Sequence, residues 1–134
     1  MKIATLENTS TWTIKIGLFL VVFIPLYVSN QLVFPFITGK NFLFRFTIEI
    51  LAALWIGLIV TFPQYRPRLT PLIKFSTIFI LTLFLADLFS PNPYRSFFSN
   101  YERMEGFMTI AHLWLYFLML SNLYNEKHIH LCIF

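Results

Sequence analysis

The chain is built from long, continuous apolar runs separated by short polar breaks, without the strict alternation that an open barrel wall would need. Four such runs predict helices over 16–36, 42–62, 69–89 and 107–124. The first follows Lys2 and Lys15 and is interrupted only by Pro25, Ser29, Asn30, Gln31 and Pro35; Pro25 is expected to kink it. No small-x-small cleavage site follows this run, so it reads as an uncleaved signal anchor. Thr38-Gly39-Lys40-Asn41 reads as a turn, and Pro63-Gln64-Tyr65-Arg66-Pro67-Arg68 breaks the second run. The third ends at Ser90-Pro91-Asn92-Pro93, where two prolines forbid continuation. A polar and aromatic loop over 90–106 precedes the fourth run, whose flanking tyrosines suit a membrane interface.

Composition sharpens this picture. Of 134 residues, 57% are hydrophobic and 12% charged, with a mean hydropathy of +0.70. Soluble domains carry roughly a quarter charged residues, so this chain lacks the polar side chains to cover its own apolar surface. The expectation is an all-α integral membrane bundle of about four transmembrane helices, forming one domain over 1–134.

The formal charge of +4 does not point to nucleic acid, because the Lys and Arg residues are scattered singly and form no basic stripe. They bear on orientation instead. One side of the expected bundle holds Lys2, Lys15, Arg66, Arg68, Lys74 and Lys127; the other holds Lys40, Arg45, Arg95 and Arg103, accompanied by Glu49, Asp87, Glu102 and Glu105. The positive-inside bias places both termini in the cytoplasm and turns the loop 90–106 outward.

Within the second run, Arg45, Glu49, Ala53 and Gly57 recur every four residues and share one helix face. That face is expected to meet protein, since small residues let helices approach and a carboxylate roughly 10 Å below the helix start is costly against hydrocarbon. A structural Arg45 to Glu49 pair is one reading of it. The fourth run shows a similar face through Glu105, Thr109, His112 and Tyr116, with His112 near the depth of Glu49. An ionisable residue inside a membrane is by default a candidate functional position, although a lone His more often serves as a hydrogen-bonding partner.

The loop 90–106 mixes arginines with aromatics at the membrane surface. Guanidinium forks bind phosphate oxygens bidentately and aromatics favour the headgroup layer, so the combination suits a lipid-linked phosphate or pyrophosphate as well as plain interfacial anchoring. No metal is expected: His128 and His130 have no further ligands near them. The single Cys132 can form no intrachain disulfide, there is no glycine-rich phosphate loop, and no nucleophile elbow supports hydrolysis.

The string Asn92-Pro93-Tyr94-Arg95-Ser96-Phe97, followed by Asn100-Tyr101-Glu102-Arg103-Met104-Glu105-Gly106, resembles the O-antigen ligase and polymerase superfamily of bacterial membrane glycosyltransferases. Arg103-x-x-Gly106 entering a helix, and Thr38-Gly39-Lys40 leading into a helix with Arg45 and Glu49, are similar to it too. The resemblance implies a multi-pass protein of the bacterial inner membrane that moves a glycan from undecaprenyl diphosphate to an acceptor at the outer face, with no cofactor. It implies that Arg103, Arg95 and Arg45 contact the lipid diphosphate, with Glu49, Glu105, His112, Asp87 and Tyr101 as supporting polar groups. Family members have many more helices and a large outward loop carrying a catalytic His. The chain is therefore expected to be the amino-terminal part of a longer protein, partnered by its remaining helices and by membrane lipids and without turnover alone. Two other readings stand beside it: a small four-helix transporter using Glu49 as a proton-coupled carboxylate, and a non-enzymatic membrane assembly subunit.

Overall fold

A computed structural model describes residues 2–28, 38–100 and 105–124. They form five helices, α1 (Lys2–Val21), α2 (Thr38–Thr61), α3 (Pro71–Leu88), α4 (Pro93–Phe98) and α5 (Phe107–Leu123), with 3₁₀ turns at Ile24–Leu26 and Pro63–Tyr65. Among the described residues there is no strand.

Helix α1 differs from the expected span 16–36. It begins near the chain start and stops at Val21. Pro25 sets that limit, because its ring would collide with the carbonyl four residues back, which is that of Val21, and it has no N–H to donate. The backbone tightens instead: the Val22 and Phe23 amides donate to Phe19 and Leu20 at 3.2 and 3.0 Å, and the 3₁₀ turn follows. Pro25 thus ends the helix where a kink was expected. The buried stripe, Thr11, Ile14, Leu18 and Val21, has helical spacing in the carboxy-terminal half of α1 and packs on α2; the polar amino-terminal half continues that helix.

Helix α2 starts four residues before the expected 42, so Thr38-Gly39-Lys40-Asn41 is its first turn and not a loop. Polar residues fit there because the first amides of a helix have no partner within it. The helix ends before Pro63, with Phe62 extended at φ −127°. Its packing face is Ile48, Leu51, Ala52, Trp55 and Leu58, against which α1 and α5 lie. Helix α3 is capped by Thr70, whose hydroxyl accepts from the Ile73 amide at 3.3 Å, with Pro71 in the first turn.

The loop expected over 90–106 contains α4. Asn92 accepts from the Arg95 amide at 3.3 Å and Pro93 occupies the first helical position. Phe97 of α4 docks between Phe84 of α3 and Phe107 of α5, with ring centroids 5.7 and 5.4 Å away. Gly106 lies at the seam. A Cβ there would fall 2.6 Å from the Phe97 carbonyl carbon and 2.8 Å from the Ser96 carbonyl oxygen.

Helices α2 and α3 are long and apolar enough to cross a membrane; α5 is apolar but 17 residues long, and α1 does not join them. Helix α3 buries only Ile73 and Ile80 and leaves Leu72, Phe75, Ile78, Phe79, Leu81, Phe84, Leu85 and Leu88 exposed, an apolar surface suited to lipid. The ends of the bundle are distinct. Glu7 of α1 bonds Gln64 and accepts from the Tyr65 hydroxyl at 3.0 Å, and the Arg68 amide donates to Asn122 at 3.0 Å. The opposite end gathers Ile24–Leu26, the start of α2, α4 and the start of α5. Between them, the Tyr116 hydroxyl of α5 donates to the Leu18 carbonyl of α1 at 3.1 Å.

Candidate functional site

Among the described residues, polar contacts cross from α2 to α5. Arg45 donates through Nη2 to the Thr109 hydroxyl, and one turn further His112 Nε2 stands 3.2 Å from Glu49 Oε1. The residues are four apart on α2 and three apart on α5, so two parallel helices present them at matching heights. Glu49 is also the charged neighbour that acts electrostatically on Arg45.

The depth of this pair differs from expectation. Because α2 begins at Thr38, Glu49 is the twelfth of its 24 residues, about 16 Å from the helix start. It occupies the middle of α2.

The four-residue stripe of α2 is only partly covered. Arg45 is half-buried, whereas Glu49, Ala53 and Gly57 are exposed, and nothing lies within 4 Å of a Cβ built on Gly57. The adjacent stripe led by Ile48 takes the packing instead, because α1 approaches α2 through it at Gly17 and Leu51. The expected meeting of the whole stripe with protein is thus not seen within the described residues. The two members of the Glu49–His112 pair are unequal: the His112 side chain is 10% exposed and that of Glu49 62%.

Above Arg45, toward the end that gathers α4, is a cleft of about 260 Å³ lined by Ile24, Pro25, Lys40, Asn41, Phe44, Thr109 and Leu113. Its walls are apolar except for Lys40, Asn41 and Thr109, a pattern suited to an amphipathic ligand with an anionic head. Composition alone did not reveal this cleft. It exists because Pro25 turns the chain over the start of α2, and Pro25 was the available signal.

Arg95 lies on α4 at the same end, exposed, with Nε donating to Asn100 Oδ1 at 3.0 Å. Glu105 is exposed immediately before α5, and Asp87 is half-buried in the last turn of α3, its carbonyl accepting from Ser90 at 3.3 Å. Arg103 and Tyr101 lie outside the described residues, as do His128, His130 and Cys132. Among the described residues no three His, Cys, Asp or Glu side chains gather as metal ligands. Neither family models, nor curated proteins, nor solved structures give a significant match to this chain.

Proposed function

We propose that this chain forms part of a membrane glycosyltransferase of the O-antigen ligase type, transferring a glycan from undecaprenyl diphosphate to an acceptor at the outer face of the bacterial inner membrane. In this reading the chain passes the membrane about four times with both termini in the cytoplasm, as the amino-terminal part of a longer protein. The observation that carries it is a cleft with apolar walls lined by Lys40 and by Thr109, to which Arg45 donates, with Arg95 on α4 at the same end of the bundle. The string running from Asn92 to Gly106 supplies the family likeness.

The chemistry follows from charge. An acceptor hydroxyl attacks the anomeric carbon of the donor sugar, its proton passing to the His that the resemblance places in a large outward loop of the longer protein; the bond from that carbon to the diphosphate breaks, and negative charge grows on the departing phosphate. Guanidinium groups neutralise that charge bidentately and keep theirs at any physiological pH. Arg95 and Arg103 are assigned this contact at the surface. Arg45, held against Thr109, sits deeper, and the cleft that Thr109 lines would take the first isoprene units. Glu105, Asp87 and Tyr101 act as supporting polar groups.

The test is binding of undecaprenyl diphosphate to the chain in nanodiscs, read by native mass spectrometry. Arg95→Ala with Arg103→Ala is expected to weaken binding by tenfold or more, at about 1.4 kcal/mol per tenfold. Unchanged binding overturns the assignment, and so does labelling that reaches cysteines at positions 95 and 103 only from the cytosolic side.

A second reading is favoured by one observation. The carboxylate of Glu49, halfway along α2 and open on one side, is where a small transporter would carry a coupled ion. The adjacent Arg45 weighs against it, since a cation beside the carboxylate competes with the cargo. A non-enzymatic assembly role predicts no lipid-diphosphate binding at all.

A further inference from the structure

The backbone dictates the protonation of one nitrogen of His112. Nδ1 lies 2.6 Å from the Met108 carbonyl oxygen. A carbonyl only accepts, so Nδ1 carries a hydrogen and donates it. A neutral imidazole has just one such hydrogen, which leaves Nε2 a bare acceptor facing Glu49 Oε1 at 3.2 Å. Two acceptors at that separation repel each other, so a contact of this length requires one more proton between them. It resides either on the carboxyl, donating to Nε2, or on Nε2, donating to the carboxylate.

We propose that Glu49 and His112 form a binding site for a single proton halfway along α2, exchanged through the open side of Glu49. When the proton leaves, Nε2 and the carboxylate repel, and the two partners respond differently. His112 is buried and tied to Met108, whereas the Glu49 side chain is exposed, so the carboxylate is the group that moves. Arg45 lies one turn back on the same helix, at a spacing that side chains of opposite charge can bridge, which makes it the destination. Counting charges, Arg45, Glu49 and His112 together carry one positive charge with the proton bound and none after release, so neither state places more than one unbalanced charge in the apolar layer.

The remaining charged groups on the elements packed here lie toward the helix ends. Lys40 is in the first turn of α2 and Glu105 precedes α5. On α1, Glu7 engages Gln64 and Tyr65 and Lys15 lies over the Trp12 and Tyr124 rings, both at the far end. On α3, Lys74 and Asp87 sit in the first and last turns.

The test uses the full chain in nanodiscs with ¹⁵N-labelled histidine, after His128→Gln and His130→Gln leave His112 as the one remaining imidazole of three. The expected result is a hydrogen held on Nδ1 throughout, with an Nε2 resonance that reports a hydrogen shared with Glu49. Glu49→Gln is expected to change the Nε2 resonance, because an amide cannot take up the shared proton. A bare Nδ1 with a protonated Nε2 in the neutral form overturns the proposal, and so does an identical Nε2 resonance with and without Glu49. If Glu49→Gln fails to fold, the tautomer in the Glu49 protein decides alone. Lipid-diphosphate binding is a separate readout, so this site and the glycosyltransferase reading can fail independently.

Discussion

Substituting Gly106 with alanine should separate α4 from α5. The backbone at Gly106 is unstrained, at φ −73°, so the glycine is required by space rather than by conformation. The added Cβ would lie 2.6 Å from the Phe97 carbonyl carbon, 2.8 Å from the Ser96 oxygen, and nearer still to the Phe97 oxygen, where ordinary contacts begin near 3.4 Å. These neighbours are backbone atoms and cannot rotate away. Helix α4 must retreat by roughly 1 Å, and its anchor Phe97 must loosen from Phe84 and Phe107. Overpacking of this kind costs about 1–3 kcal/mol. Gly57→Ala is the matched control: a Cβ there meets nothing within 4 Å, and an interior helical Gly→Ala exchange gains up to about 1 kcal/mol. Reversible unfolding by denaturing detergent, followed by circular dichroism, should show Gly106→Ala destabilised and Gly57→Ala unchanged or stabilised. Equal stability of Gly106→Ala and the unsubstituted protein would refute the reasoning. A Gly57→Ala that destabilises would show that a partner covers this face of α2.

Three further outcomes are expected. Pro25→Ala restores the amide that can bond back to Val21 and removes the collision there, so α1 should lengthen past Val21 and the cleft roofed by Ile24 and Pro25 should open; spin-label distances between α1 and the start of α2 would read this, and unchanged distances would oppose it. Asn92→Ala removes the side chain that caps α4 and should cost about 1 kcal/mol, seen as faster amide exchange at Arg95 and Ser96; exchange at the original rate would show that the cap contributes nothing. Leu18→Ala, at a side chain with no exposure, should cost about 2–5 kcal/mol in the same detergent titration, and a loss under about 1 kcal/mol would mean that the α1 contact is not part of the folded core.

The sequence pattern read some elements closely and missed others for identifiable reasons. Helices α3 and α5 agree with expectation to within two residues because both ends of α3 are marked by prolines and both runs are continuously apolar. The start of α1 was hidden because Glu7, Asn8, Thr9, Ser10 and Thr11 look like a polar leader, although Thr11 and Ile14 lie on the buried stripe. Helix α4 passed as a loop since two prolines outweighed the Asn92-Pro93 start signal. The proximity of Glu49 and His112 was legible from helical spacing and shared depth. Which face of α2 would be covered was not, because that depends on the rotation of one helix against another, and a one-dimensional pattern holds no such angle.

The tyrosine on α5 that reaches α1 has a consequence for the order of assembly. The amide that would ordinarily bond the Leu18 carbonyl belongs to Val22, which the tightened helix end draws to Phe19. Leu18 then depends on Tyr116, 98 residues later in the chain. In hydrocarbon an oxygen left without a donor costs several kcal/mol. Until α5 is delivered, the Leu18 carbonyl at the end of α1 must be met by some other donor, and only the docking of α5 completes that helix end.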